Sequence, residues 1–300
     1  MDGIYVASMV LFDDEGKINK EESKKLLDRN LAEGAAGFFV AGSSGECFLM
    51  DRQERVQLYE QVSEYKEKAD LFAHVGALST EEAIFYAKEA KQMGYEKIAA
   101  TPPFYFGYTT KQLAHYYYDI AEAVDMPVFY YNIPINTFKQ IQINDPETIK
   151  LFQSGAIAGI KHTNLDLYEM ERIKNINPDI KIYGGFENEM VGFLAMGCDG
   201  FIGSTFNFML PHYKKIYDLF LEGKVDEARK LQVKANNIMQ ALNNVGLFSG
   251  IKHMLNVQGI NAGNMRRPFL PLTEEEKQYL EDVVTVSYTH LRAHETLANL

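Results

Sequence analysis

One pattern recurs eight times along the chain: a short apolar run, a polar turn, then an amphipathic stretch expected to be a capped helix. The apolar runs predict strands at residues 4–11, 36–41, 71–75, 97–101, 127–131, 156–161, 181–183 and 200–203. Asn19 with Glu22, Asp51 with Glu54 and Ser79 with Glu82 each place an acid three residues after a capping side chain. Gly34 closes the first helix, and the third stops near Gly94. Asp145-Pro146 puts a cap and then a proline at a helix start. Further helices begin near residues 110 and 167. This alternation predicts an α/β fold, a (β/α)8 TIM barrel. The competing doubly wound open sheet would carry a GxGxxG fingerprint, and none is present.

From about Gly223 the pattern is helical only, over residues 225–242, 247–257 and 273–284, with a Gly/Pro/Asn-rich joint at 259–271. The expected organisation is a barrel over residues 1–222 and a C-terminal all-helical extension, 223–286, packed on it. Residues 287–300 stand apart. The stretch from 285, TVSYTHLRAHETLANL, continues no amphipathic face, and its SYTHLRAHET core resembles a translated sequencing adapter. Residues 287–300 are therefore expected to be a non-native tail.

Composition excludes several function classes. The 300 residues are 46% hydrophobic and 24% charged, which suits a globular chain with a substantial core. A net charge of −11 argues against a nucleic-acid partner. No apolar run is long enough to span a membrane, and the N-terminus lacks a basic signal region. Two cysteines, Cys47 and Cys198, lack metal-ligand spacing and suit a reduced, cytoplasmic setting. The histidines His74, His115, His162, His212 and His253 are scattered and read as structural or surface groups, with His162 kept as an exception because it neighbours Lys161.

In such a barrel the active site lies at the C-terminal ends of the strands. Collected there are Gly42-Ser43-Ser44-Gly45-Glu46, Pro102-Pro103-Phe104-Tyr105, Tyr131-Asn132-Ile133-Pro134, Lys161-His162-Thr163, Gly185-Phe186-Glu187-Asn188 and Ser204-Thr205. Lys161 ends an apolar strand, and burial penalises the charged form of an amine. A neutral lysine condenses with a carbonyl to give a Schiff base. Strand alternation turns His162 away from the barrel centre. The glycines and serines of GSSGE expose N–H groups and hydroxyls that can hold an anion without a formal positive charge. Tyr131 offers a phenol for proton transfer.

GSSGE, TPPFY, YYNIP, GIKHTN and GFIGSTFN, in this order and spacing, resemble the N-acetylneuraminate lyase / dihydrodipicolinate synthase superfamily of pyruvate-dependent class I aldolases. The resemblance covers roughly residues 3–284. It implies that Lys161 forms the Schiff base, that Tyr131 is the catalytic tyrosine, and that Ser43, Ser44 and Gly45 hold the pyruvate carboxylate. Tyr105 resembles a tyrosine that reaches a neighbouring subunit's site, and a homotetramer is implied. No metal or organic cofactor is implied, only a covalent intermediate on Lys161.

Within the superfamily, KHTNLDLYEME and IGSTFN look like the lyase branch. Synthase members typically carry an arginine shortly after the tyrosine-asparagine-proline segment, and YNIPINT has none. In the lyase branch, the residues matching Thr163, Gly185, Glu187, Asn188 and Ser204 face sugar hydroxyls. Two departures stand out. Gly185-Phe186-Glu187-Asn188 replaces the usual Gly-aromatic-Asp-Glu, and Ser44 stands where threonine is common. The expected substrate is a small 2-keto sugar acid, N-acetylneuraminate first, cleaved to pyruvate and N-acetylmannosamine. The alternatives are another 2-keto-3-deoxy sugar acid, or condensation of pyruvate with aspartate semialdehyde to 4-hydroxy-tetrahydrodipicolinate.

Overall fold

The computed structural model describes residues 3–295. In chain order its elements are β1 (Gly3–Ala7), α1 (Lys20–Ala32), β2 (Gly37–Val40), α2 (Arg52–Ser63), β3 (Asp70–His74), α3 (Thr80–Gln92) and β4 (Lys97–Ala100). There follow α4 (Thr110–Val124), β5 (Val128–Asn132), α5 (Pro134–Thr137), α6 (Pro146–Gln153), β6 (Ile157–His162), α7 (Leu167–Ile176) and β7 (Lys181–Gly184). The chain continues through α8 (Met190–Ala195), β8 (Gly200–Gly203), α9 (Phe206–Leu221), α10 (Val225–Val245), α11 (Leu247–Val257) and α12 (Glu274–Glu295).

Two compact units are distinguished: Met1–Ser8 with Ala35–Gly203, and Met9–Gly34 with Ser204–Leu300. The first holds the barrel. Its eight strands are parallel, each paired with its sequence neighbours, and β8 closes on β1. The predicted caps are in place. Asn19, Asp51 and Ser79 each accept the N–H of the residue three positions on, and Asp51 with Glu54 completes a reciprocal box. Such caps satisfy otherwise orphaned helix N–H groups, at about 1 kcal/mol apiece.

The barrel interior is a packed aromatic core. Tyr5, Phe39, Phe72, Phe129, Tyr131 and Tyr183 belong to one buried cluster. Phe72 meets Phe129 edge-on at 4.9 Å, and Tyr5 meets both Phe72 and Tyr183 edge-on at 5.3 Å. Edge-to-face pairs add about 0.5–1.5 kcal/mol each beyond burial. One irregularity shapes the upper layer. Val128 pairs with Ile157 but Phe129 pairs with Gly159, so Ala158 is an extra residue in β6. After this shift Tyr131, Lys161 and Tyr183 stand level on adjacent strands. Gly159 leaves room beneath the lysine, because a Cβ there would overlap the Phe129 ring and lie 2.6 Å from the Lys181 carbonyl.

The second unit is helical, apart from an isolated antiparallel bridge between Phe12 and Ile18. Arg29 of α1 donates to the Asn207 carbonyl, and Glu22 accepts the N–H of Asn261 at 2.8 Å. In α9 the helix kinks at Met209, two residues before Pro211.

Three expectations need correction. β1 ends at Ala7, not at residue 11; the Met9 N–H is instead taken by the Asn207 side chain at 3.2 Å. The elements after β7 and β8 have no side-chain cap: β7 leads into a 3-10 turn, Glu187–Glu189, and the six-residue α8, while α9 starts from a helical Thr205. The last helix does not stop at 284. Residues 285–295 contain neither glycine nor proline, and α12 runs on to Glu295. The rest of the predicted tail, 296–300, lies outside the described residues.

Candidate active site

Lys161 comes from the inward face of β6 and is only 5% exposed. Its Nζ lies 4.0 Å from the centroid of the Tyr131 ring and 4.5 Å from that of Phe39. The two rings meet edge-on at 5.6 Å, so the amine rests on a fixed aromatic floor at the mouth of the barrel. The Tyr131 hydroxyl is 3.4 Å from Ser43 Oγ. Three of the predicted residues therefore converge from three strand ends: an amine, a phenol and a serine hydroxyl.

The GSSGE loop is tightly wound. Ala41 before it has φ +55° and Glu46 within it +53°, both in the left-handed region that disfavours residues with a Cβ. Glu46 N–H returns to the Ser43 carbonyl at 3.0 Å, and Cys47 N–H to Gly42 at 3.3 Å. Gly45 folds back over Ala41, where an added Cβ would sit 3.0 Å from the Ala41 Cα. Ser44 is buried and Ser43 is half-buried.

At the top of β6, Thr163 is held by its N–H bond to the Asn132 carbonyl at 2.8 Å. Its Oγ1 is buried and has no hydrogen-bond partner among the described residues. Gly185 lies against it, and a Cβ at 185 would overlap that oxygen. Glu187 is buried in the turn after β7, with Asn188 half-buried beside it. Ser204 opens the second segment of the second unit, and its carbonyl accepts from the Asn207 side chain at 2.7 Å. Tyr105 is not in the cluster: it is 75% exposed on the loop before α4, edge-on to Phe106.

Behind the lysine, outside the barrel, lies a buried polar network. As alternation predicted, His162 points away from Lys161. Its Nδ1 accepts from Asn132 Nδ2 at 3.2 Å and its Nε2 donates to the Asp166 carbonyl at 3.1 Å. Burial lowers its pKa to about 4. The same Asn132 amide donates to Glu169 at 2.7 Å, and Asn164 donates to Glu169 at 3.1 Å; burial raises the Glu169 pKa nonetheless. Asn132 and His162 are each one residue beyond Tyr131 and Lys161, so the network anchors both strand ends.

The sequence reading missed His74. It closes β3 fully buried, edge-on to the Tyr131 ring at 5.6 Å. Its position at a strand's C-terminal end was the available signal, but the third strand's end was left out of the collected site. Phe39, half of the lysine's floor, was likewise unmarked among 19 phenylalanines.

No three His, Cys, Asp or Glu side chains among the described residues are grouped so as to hold a metal ion. No described helix is long and apolar enough to cross a membrane.

A closed parallel barrel with a buried lysine and a tyrosine paired at its carboxyl end defines the class: the chain is a lyase of the pyruvate-dependent class I aldolase type. A model of the Dihydrodipicolinate synthetase family matches residues 1–287, and the chain belongs to that family. It is 33% identical over 285 residues to the N-acetylneuraminate lyase of Rhizobium meliloti, covering 95% of this chain and 94% of that one. CdNal from Clostridium difficile, solved in complex with mannosamine, is 32% identical with a TM-score of 0.91, covering 96% of this chain and 99% of that one. The N-acetylneuraminate lyase of Fusobacterium nucleatum complexed with pyruvate is 30% identical with a TM-score of 0.88, the coverage being 94% and 96%.

Proposed function

We propose that this aldolase cleaves N-acetylneuraminate to pyruvate and N-acetylmannosamine, with Lys161 as the Schiff-base residue. The observation that carries the reading is the placement of Lys161 Nζ over the Tyr131 ring, with Ser43 Oγ beside the phenol oxygen. The relatives support the substrate. One is solved with mannosamine and another with pyruvate, chemical counterparts of the two halves such a cleavage releases.

The steps follow from the residues. Ser43, Ser44 and Gly45 hold the keto acid's carboxylate, placing its C2 carbonyl at Lys161. The free amine adds to C2, and loss of water gives an iminium. Tyr131, having passed its own hydroxyl proton to the water that departs, takes the proton of the C4 hydroxyl. The C3–C4 bond breaks, and its electron pair passes into the iminium to give an enamine. The aldehyde sugar leaves. Protonation at C3 and hydrolysis release pyruvate and restore the lysine. The sequence closes without a metal or organic cofactor. Thr163, Gly185, Glu187 and Asn188 are assigned to the sugar's hydroxyls.

Exposure of Tyr105, with Phe106 beside it also exposed, supports an assembly in which that tyrosine serves a neighbouring subunit's site; a homotetramer is the expected form. Two buried free cysteines suit a reducing, cytoplasmic compartment.

The test is borohydride trapping in the presence of pyruvate, followed by mass measurement, together with a pyruvate-release assay on N-acetylneuraminate. Wild type gains one covalent adduct and releases pyruvate, and Lys161→Arg does neither. An adduct in Lys161→Arg would overturn the lysine assignment. Asn188, an amide where the lyase branch usually has an acid, favours one second reading: a different 2-keto-3-deoxy sugar acid. Trapping without release from N-acetylneuraminate, but with release from such an acid, would establish it.

A further inference from the structure

The geometry points to His74 as a positioning residue: a neutral imidazole, protonated on Nδ1, that clamps the left-handed turn at Ala41 and so sets where the GSSGE loop meets Tyr131. This rests on the reading above that the loop holds the substrate's carboxylate.

The protonation state follows from the partners. His74 Nδ1 lies 2.9 Å from the Ala41 carbonyl, which can only accept. The backbone N–H of Thr101 donates to Nε2 at 3.2 Å, so Nε2 must present a lone pair. One proton on Nδ1 satisfies both contacts, and a second on Nε2 would face the Thr101 N–H. Arg55 Nη2 lies 3.3 Å from the same Nδ1 but donates to the His74 carbonyl, so it does not need a lone pair on Nδ1, and its charge is a further reason against a second proton on the ring. Burial and Arg55 lower the His74 pKa well below its ordinary value, in agreement.

The consequence runs through the backbone. Ala41 is held at φ +55°, a left-handed conformation that a residue with a Cβ adopts only when its surroundings hold it there. Gly42 and Ser43 follow directly, so the direction of this turn decides where Ser43 Oγ lies relative to the Tyr131 hydroxyl. The His74 ring also packs edge-on against Tyr131 and near Phe39, steadying the floor under Lys161 from the same side. Gly76 keeps the other contact open: a Cβ there would lie 2.6 Å from the Thr101 nitrogen and 2.8 Å from His74 Nε2. His74 thus links the ends of β2, β3 and β4 without itself contacting Lys161 Nζ among the contacts described.

The experiment measures the pyruvate concentration that gives half-maximal borohydride trapping, alongside kcat for retro-aldol cleavage and thermal melting. His74→Phe keeps an aromatic ring and removes both polar contacts. It is expected to raise the half-trapping concentration about tenfold or more while kcat falls by less than about threefold. His74→Asn can still donate an amide N–H to Ala41, and it restores most of the loss. Gly76→Ala, which leaves His74 in place but presses on its Nε2 contact, raises the same concentration, and it serves as the test if His74→Phe does not fold. A half-trapping concentration unchanged in folded His74→Phe, or in Gly76→Ala, overturns the assignment. Ser43→Ala separates the two layers of inference. If it raises the half-trapping concentration while His74→Phe does not, the loop reading stands and the role of His74 falls. If Ser43→Ala also leaves it unchanged, the loop reading falls first.

Discussion

Tyr131 and Lys161 are direct cross-strand partners, and the lysine's Nζ lies 4.0 Å from the centre of the tyrosine's ring. The ring and the hydroxyl of this tyrosine therefore have separable duties. The ring forms the floor on which the amine rests, and the hydroxyl, beside Ser43, is the group proposed to move protons. Tyr131→Phe keeps the floor and removes the oxygen. It is expected to lower kcat about a hundredfold or more, the usual scale for a lost general acid–base group. Covalent trapping of pyruvate on Lys161 should survive in the same variant. A kcat close to wild type in Tyr131→Phe would show that another group moves the proton.

The level placement of the pair depends on β6 carrying one residue more than β5 in this stretch, and on Gly159 two residues before the lysine. In Gly159→Ala the new methyl overlaps the Phe129 ring and presses on the Lys181 carbonyl. A ring can move at some cost, but a strand carbonyl bonded into the barrel cannot. The expected loss is about 3 kcal/mol of stability, the upper end of ordinary overpacking. Phe129→Leu added to it should recover only part of that loss, since the backbone contact remains. Full recovery in the double variant, measured by urea unfolding, would show that the ring alone is the obstacle.

How much of this was legible beforehand differs element by element. The barrel was readable because the starts of α1 to α4, α6 and α7 carried their own caps, as Asp51 with Glu54 shows, and local hydrogen bonds do not depend on the rest of the fold. Lys161 stood out as a charged residue ending an apolar run, but only the motifs around it turned that anomaly into a site reading. The outward turn of His162 followed from the period of a strand. What was not readable is whatever needs two distant segments at once. The extra residue at Ala158 exists only in the pairing of β5 with β6. The role of His74 depends on Ala41 and Thr101, 33 and 27 residues away in the chain. Met9 leaves the predicted first strand because its N–H finds Asn207, 198 residues on.

Acid should destabilise the fold through its buried imidazoles. His162 binds a proton near 6.5 in an open chain but near 4 when folded; His74 and His212 are shifted the same way by burial. Between those values the unfolded chain holds more protons than the folded one, so stability falls as pH drops through the window. For His162 alone the full effect is about 3 kcal/mol, at about 1.4 kcal/mol for each tenfold change in proton affinity. Glu169 works in the opposite sense: its raised pKa favours the folded state at low pH and loses that contribution as pH rises past 4.5. Melting temperature measured from pH 7 to 4 should fall steadily. His162→Gln, which cannot charge, should show a shallower decline. An identical slope in that variant would remove His162 from the account.

Arg55 is fully buried, and from its place in α2 it binds the end of β3. Its guanidinium donates to the Gly76 carbonyl at 3.0 Å, to the Tyr59 hydroxyl at 3.1 Å and to the His74 carbonyl, while lying 4.1 Å over the Tyr86 ring. Tyr59 in turn donates to the His74 carbonyl, and burial pushes its pKa up to about 12, so it remains a donor across the working range. Arg55→Met fills much of the volume but leaves the Gly76 carbonyl without this donor. A buried acceptor left unmet costs about 1–3 kcal/mol, and loss of the other bonds brings the expected destabilisation to about 2–4 kcal/mol. Arg55→Lys should recover less than half of it, because one ammonium cannot span three acceptors set in the plane of a guanidinium fork. Equal stability of the lysine variant and wild type in urea unfolding would mean that the charge matters here and the fork does not.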